Sequence, residues 1–334
     1  MLEKKVLIEL PFIYTSNAFN LGDKFYVAAG SEDRQAVYII DPESNKKTKI
    51  ADGPGGMMSI LPIPGCDDKM VSVMGLFPPF IGAEAGIYLH EKINQTWETR
   101  KVIPLPFSHR CEILTLNGEN HLFVATVSKH KENPADWSKP GELHHVKIDL
   151  TTTGNWETDV VFGDLYRNHG MTKCMINNEE TLCISGDKGI FAIQAGEENS
   201  WESIQLFDRE VSEFAFFDLD NDGVDELVTI EPFHGKDLNI YKKDGDNWKL
   251  MYNSPLVFGH GLCAGKFKGE NVVAVGNRRE TEALELHKIH SLTNIEKTII
   301  EDKVGPTQLK FFAYKDVEYL LSSNQAKNEV ALYY

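Results

Sequence analysis

The stretch EFAFFDLDNDGVDELVTIE, residues 213–231, is an apolar run, a turn rich in Asp, Asn and Gly, and a second apolar run. Short apolar runs bounded by turn formers are strand signals, so the stretch predicts a hairpin. The same unit recurs as NAFNLGDKFYVAAG from Asn17, MSILPIPGCDDKMVSVMG from Met58 and HRCEILTLNGENHLFVATV from His109. It returns as HGMTKCMINNEETLCISG from His169, HGLCAGKFKGENVVAVGN from His260 and TQLKFFAYKDVEYLLSSN from Thr307. The seven starts are 41, 51, 60, 44, 47 and 47 residues apart, the spacing of four-stranded propeller blades with loop insertions. Fourth strands fall in the linkers TWETRKVI, NWETDVVF, SWESIQLF, NWKLMYNS and IEKTIIED. No amphipathic helix stands out. The reading is all-β: one seven-bladed β-propeller domain over residues 1–334. The last unit ends at Tyr334 with no outer strand, and KKVLIEL precedes the first unit unpaired. Residues 4–10 are therefore expected to close the ring as the last blade's outer strand, removing two exposed sheet edges.

Composition narrows the partners. The chain carries 34 Lys plus Arg against 50 Asp plus Glu, a formal net charge of −16. Nucleic-acid affinity comes mostly from cationic contacts to phosphate, so no nucleic-acid partner is expected. A neutral small molecule and bound cations suit this charge better. The N-terminal MLEKKVLIELPF has no apolar stretch of signal-peptide length, and no run is long enough to span a membrane. The five cysteines are odd in number and form no CxxC pair, which reads as buried reduced thiols in a cytoplasmic protein. A homo-oligomer is left open.

Within the quoted stretch, DLDNDGVDE at 218–226 alternates Asp218, Asp220 and Asp222, turns at Gly223 and brings Glu226 at the ninth position. Hard divalent cations take six to eight oxygens, so these four side chains and the Val224 carbonyl are expected to hold calcium or magnesium. An EF-hand would need flanking helices and a Glu where Thr229 stands. The corresponding turns TLNGENHL, MINNEETL, KFKGENVV and AYKDVEYL lack the carboxylates and are expected to be metal-free.

In a propeller the start of each innermost strand faces the central channel. His109, His169 and His260 stand at three starts and Glu213 at a fourth, a donor set suited to zinc, manganese or a similar transition metal. Arg110 follows His109. The third unit's insertion SKHKENPADWSKPGELHH adds His130, Trp137, Lys139, His144 and His145, while EPFHGK adds His234 and NRRE adds Arg278. A tryptophan beside cations and imidazoles can hold a sugar by ring stacking and hydroxyl hydrogen bonds.

Taken together, SHR before a strand, PADWSKPGE, the NHG start, DLDNDGVDELVTIEPFHG and GHGLCAGKF leading to VAVGNRR resemble the propellers with FG-GAP (VCBS-type) calcium repeats. The resemblance is to the group that includes aldos-2-ulose dehydratase, strongest over residues 100–290. It implies a lyase, or an isomerase, acting on a keto-sugar such as 1,5-anhydrofructose with a divalent metal in the funnel. Carried over by motif, His109, His169 and His260 become metal ligands and Glu213 a ligand or base. His130, His144, His145 and His234 become acid/base candidates, and Arg110, Trp137, Lys139 and Arg278 substrate-binding candidates. The fungal dehydratases carry an added domain that is absent here, and most units have lost the calcium carboxylates. A non-catalytic carbohydrate- or protein-binding propeller with a structural calcium site is the other reading. A serine hydrolase finds no GxSxG.

Overall fold

In a computed structural model describing residues 2–176, 179–197 and 200–334, the described strands form seven four-stranded antiparallel sheets, and no α-helix occurs among them. Each sheet is one blade with its strands in chain order, save the last, and the architecture is a seven-bladed β-propeller. The blades span residues 13–51, 59–103, 108–165, 171–207, 213–255, 259–301 and 306–333, the last joined by Lys4–Glu9. No described helix is long and apolar enough to cross a membrane.

By contacts the chain divides into two compact units. One is Tyr14–Asp208, carrying the first four blades; the other joins the residues up to Ile13 to Arg209–Tyr334 and carries the remaining three. In the second unit, the first strands Glu213–Phe217, Gly259–Phe267 and Pro306–Tyr314 pack against one another in turn, which makes them the inner strands. In the first unit, Ser108–Leu116 likewise packs against Ser59–Pro62 and Met171–Ile176.

Second strands are buried along nearly their whole length, as in Glu226–Glu231 and Glu270–Asn277, because both faces of a blade are covered by neighbours. Val228, Ile230, Val273 and Val275 share one core in one unit; Val71, Val73, Leu122 and Val124 share another in the other. Fourth strands face solvent over much of their length, as in Trp201–Phe207, where residues 202–205 are all exposed. The expected closure is present: Lys4–Glu9 pairs with Glu329–Tyr333, Lys4 opposite Tyr333 and Glu9 opposite Glu329. Leu7 has no accessible surface there, and Lys4 Nζ lies 2.6 Å from Glu329 Oε1.

The second blade buries a polar chain. Ser72 Oγ lies 2.8 Å from His90 Nε2, and His90 Nδ1 lies 2.8 Å from Thr99 Oγ1, which donates to the Ile50 carbonyl at 3.0 Å. Burial pushes the His90 pKa down to about 3, so the folded ring stays neutral. The unfolded chain takes up this proton from the ordinary histidine range downwards. Stability contributed by His90 is thus whole above pH ~6.5 and falls by about 1.4 kcal/mol per pH unit as pH drops toward 3. Urea unfolding of wild type and His90→Gln between pH 7 and 4 is expected to show a shallower acid slope in the variant. Parallel slopes would contradict a neutral buried His90.

Candidate functional site

The inner strands carry the polar groups at their starts, and the local geometry repeats. The ladder between Ser108–Leu116 and its neighbour shifts register between Ser108 and Arg110, placing His109 at the irregularity. The same shift falls between Gly259 and Gly261, at His260, and between Pro306 and Leu309, across Thr307. Bulges bend a strand and re-aim a side chain, and they concentrate beside functional sites. Tyr14, His109, His260 and Thr307 are each the second residue of an inner strand.

In the unit Tyr14–Asp208, Tyr14 Oη lies 3.3 Å from His109 Nε2, and the His109 and His169 rings lie 4.5 Å apart, tilted by 35°. Both imidazoles are almost wholly buried. His169 precedes its strand, and its N–H donates to the Ser185 carbonyl at 3.1 Å.

In the other unit, His260 Nδ1 lies 2.8 Å from the Thr307 carbonyl oxygen. A carbonyl only accepts, so Nδ1 carries a proton. An outer hydrogen bond of this kind orients a ligating histidine. His234 stacks 3.9 Å from the Phe233 ring and 5.1 Å from that of His260. Its φ of 48° is a left-handed conformation that costs a non-glycine residue free energy. Arg278 is buried and its Nε donates to Gln325 Oε1 at 2.9 Å. Glu213 is the half-buried first residue of Glu213–Phe217.

His144 and His145, expected in the third unit's insertion, lie on a strand instead. It is the third strand of their blade, Gly141–Lys147, two strands out from His109. His144 Nε2 lies 3.5 Å from Glu142 Oε2, with its pKa lowered mainly by burial. His145 Nε2 lies 2.9 Å from His121 Nδ1, its ring against Trp201, and burial with the His121 charge pushes its pKa down to about 4. His130 and Lys139 are exposed in the insertion. Trp137 has Lys131 Nζ 3.6 Å over its ring, so that face is covered where a sugar was expected to stack. Arg110 is half-buried beside the His109 bulge.

The acidic loop occupies residues 218–225 between two strands of the fifth blade. Its turns differ from the others in shape as well as charge. Asn117–Gly118, Lys268–Gly269 and Lys315–Asp316 are two-residue hairpin turns with positive φ at both positions. The Asn177–Asn178 turn lies outside the described residues. In the acidic loop, Asp218 accepts the Asp222 and Gly223 N–H groups at 3.0 Å each, and Gly223 turns the chain at φ 89°. Carboxylate oxygens of Asp218, Asp220 and Asp222 come within 4.8 Å of one another, a cluster that could hold a metal. Glu226, fully buried, accepts the Leu219 N–H at 2.8 Å through Oε2, and burial raises its pKa. The Val224 carbonyl belongs to the exposed tip.

Two participants escaped the sequence reading. Tyr14 was missed because the first repeat was started at Asn17, four residues past the strand's beginning at Ile13. Aligning each unit on the second residue of its inner strand would have put Tyr14 level with His109. Lys242 was missed because it is remote in sequence from the carboxylates it meets.

No protein-family description matches the sequence, and no curated protein matches it. Among solved structures, the chain is similar to the β-propeller domain of Cps50 (Swd1) from Myceliophteria thermophila. Identity is 12% and the TM-score 0.63, with 99% of each chain covered. It is also matched by the PQQ-bound aldose sugar dehydrogenase of Streptomyces coelicolor, with 12% identity and a TM-score of 0.46, over 100% of this chain and 98% of that one. The Cps50 likeness establishes the β-propeller fold; at such identity it carries no chemistry across. The narrower resemblance to FG-GAP dehydratases is therefore a matter for proposal.

Proposed function

We propose that this propeller is a metal-dependent lyase or isomerase of keto-sugars, such as 1,5-anhydrofructose or a related glycosulose, working at the starts of its inner strands. The observation that carries the reading is the hydrogen bond from His260 Nδ1 to the Thr307 carbonyl, the kind of outer bond that orients a ligating histidine. The buried His109–His169 pair beside Tyr14 adds two imidazoles and a hydroxyl in one place. His109 and His169 in the one unit and His260 in the other are each proposed as metal ligands, with Glu213 and His234 as further donors or bases. A divalent metal, when bound, would supply positive charge beside the substrate's carbonyl oxygen.

A ketone acidifies the hydrogen on its neighbouring carbon. A neutral imidazole or the Glu213 carboxylate takes that proton, leaving the electron pair as an enediolate. In the dehydratase the C–O bond one carbon further breaks, and the Tyr14 hydroxyl or a protonated imidazole gives the departing hydroxide a proton, so that water leaves. In an isomerase the proton returns to the adjacent carbon instead. Arg110 and Arg278 are proposed to bind hydroxyls. Incubation with 1,5-anhydrofructose and related 2-keto sugars, followed by ultraviolet absorbance and sugar analysis, tests the reading. Enone or isomerised product supports it; unchanged sugars with the metal-replete protein count against it.

A non-catalytic carbohydrate- or protein-binding propeller is the second reading. The packing of the His234 ring against both Phe233 and Phe258 favours it, since such packing accounts for a half-buried imidazole without chemistry. In both readings the 218–226 loop is proposed as a structural calcium or magnesium site, and the protein as a cytoplasmic one.

A further inference from the structure

We propose that the cation of the 218–226 loop, in the absence of metal, is the chain's own Lys242 ammonium, and that a divalent ion binds there only by displacing it. This rests on the reading of the loop as a calcium site and adds a competitor to it.

Lys242 lies on Asp237–Asp244, the strand that pairs with Glu226–Glu231, one position beyond the Leu227–Tyr241 pair. That register puts it opposite Glu226. Its Nζ contacts the Asp220 carboxylate, lies 2.6 Å from Asp222 Oδ2 and lies 3.5 Å from Glu226 Oε1. One ammonium thus gathers three of the four carboxylates expected to ligate calcium, and these hold its pKa above the usual lysine range.

Glu226 is the independent sign that the place is built for a cation. Its side chain has no accessible surface, yet Oε1 makes no hydrogen bond, while Oε2 is fixed by the Leu219 N–H. Asp220 Oδ1 is likewise without a hydrogen bond. A buried carboxylate oxygen aimed at a cation and otherwise unsatisfied is costly unless the positive charge stays. Lys242 supplies a single charge to Asp218, Asp220, Asp222 and Glu226, so the cluster keeps a net negative charge that a divalent ion would neutralise further. Asn271 Nδ2 donates to the Asp218 and Leu219 carbonyls at 3.2 and 2.9 Å, anchoring the loop from the next blade whichever cation is present.

Calorimetric titration of calcium into chelator-treated full-length protein tests the displacement. Removing a nearby positive charge strengthens attraction for a divalent ion, so Lys242→Met is expected to bind one calcium about tenfold or more tightly than wild type. Without calcium the variant should melt below wild type, and calcium should restore it. Adding Glu226→Gln to Lys242→Met should abolish the gain. Lys242→Gln carries the same expectation and serves if the methionine variant fails to fold. Equal affinities in wild type and both lysine variants would overturn the displacement while leaving the calcium loop standing. No binding in any of them would overturn the loop reading and the displacement with it.

Discussion

Leu7→Ala lowers the unfolding free energy by about 2–5 kcal/mol, measured by urea titration, whereas Val6→Ala changes it by no more than about 0.5 kcal/mol. The contrast follows from one strand. Leu7 has no accessible surface and Val6 is 37% exposed, although the two are adjacent in Lys4–Glu9. The cost arises because truncating a fully buried leucine removes both its transfer free energy and its packing, leaving a cavity. The ring-closing role makes the test specific. If the segment were a loose N-terminal arm, neither substitution would matter, and equal small effects would contradict its pairing with Glu329–Tyr333.

On the proposed keto-sugar chemistry, His169→Ala and His260→Ala are each expected to lower turnover by about 10²–10⁴-fold, because losing a ligand loosens a metal that would supply several kcal/mol of transition-state stabilisation. His130→Ala and His145→Ala leave turnover within about twofold, as surface or remote substitutions do. The pairs are matched in chemistry and differ in place. His130 is exposed in the insertion, and His145 sits against His121 and Trp201 on a third strand. Folding must be checked for His260→Ala, because the Thr307 carbonyl loses its donor, at a cost of about 1–3 kcal/mol. If all four variants lose turnover equally, the inner strand starts hold no special place in the chemistry.

Much of the fold was legible because propeller blades repeat. Strand periodicity placed the inner strand at Glu213 without error and those at Met58, His109, His260 and Thr307 within one residue, against observed starts at Ser59, Ser108, Gly259 and Pro306. The closing strand was legible because the last repeat lacked an outer partner. The site was less legible. Sequence spacing assigns a residue to a strand but cannot say which strand of the blade it occupies once an insertion intervenes, and His144 and His145 were misplaced for that reason. Nor can it show that a lysine covers a tryptophan face, as Lys131 does at Trp137, or that Lys242 reaches back to the acidic loop. The first depends on how one loop folds back on itself, and the second on the register that sets Lys242 opposite Glu226.

Elemental analysis of untagged protein purified without added metal, beside His109→Ala, His169→Ala and His260→Ala, tests the central claim most directly. The account predicts about one equivalent of a transition metal such as zinc or manganese in the wild type, lost in the variants while each stays folded. Calcium alone, unchanged across the variants, would contradict a metal held by the inner-strand histidines and put the binding propeller in the enzyme's place.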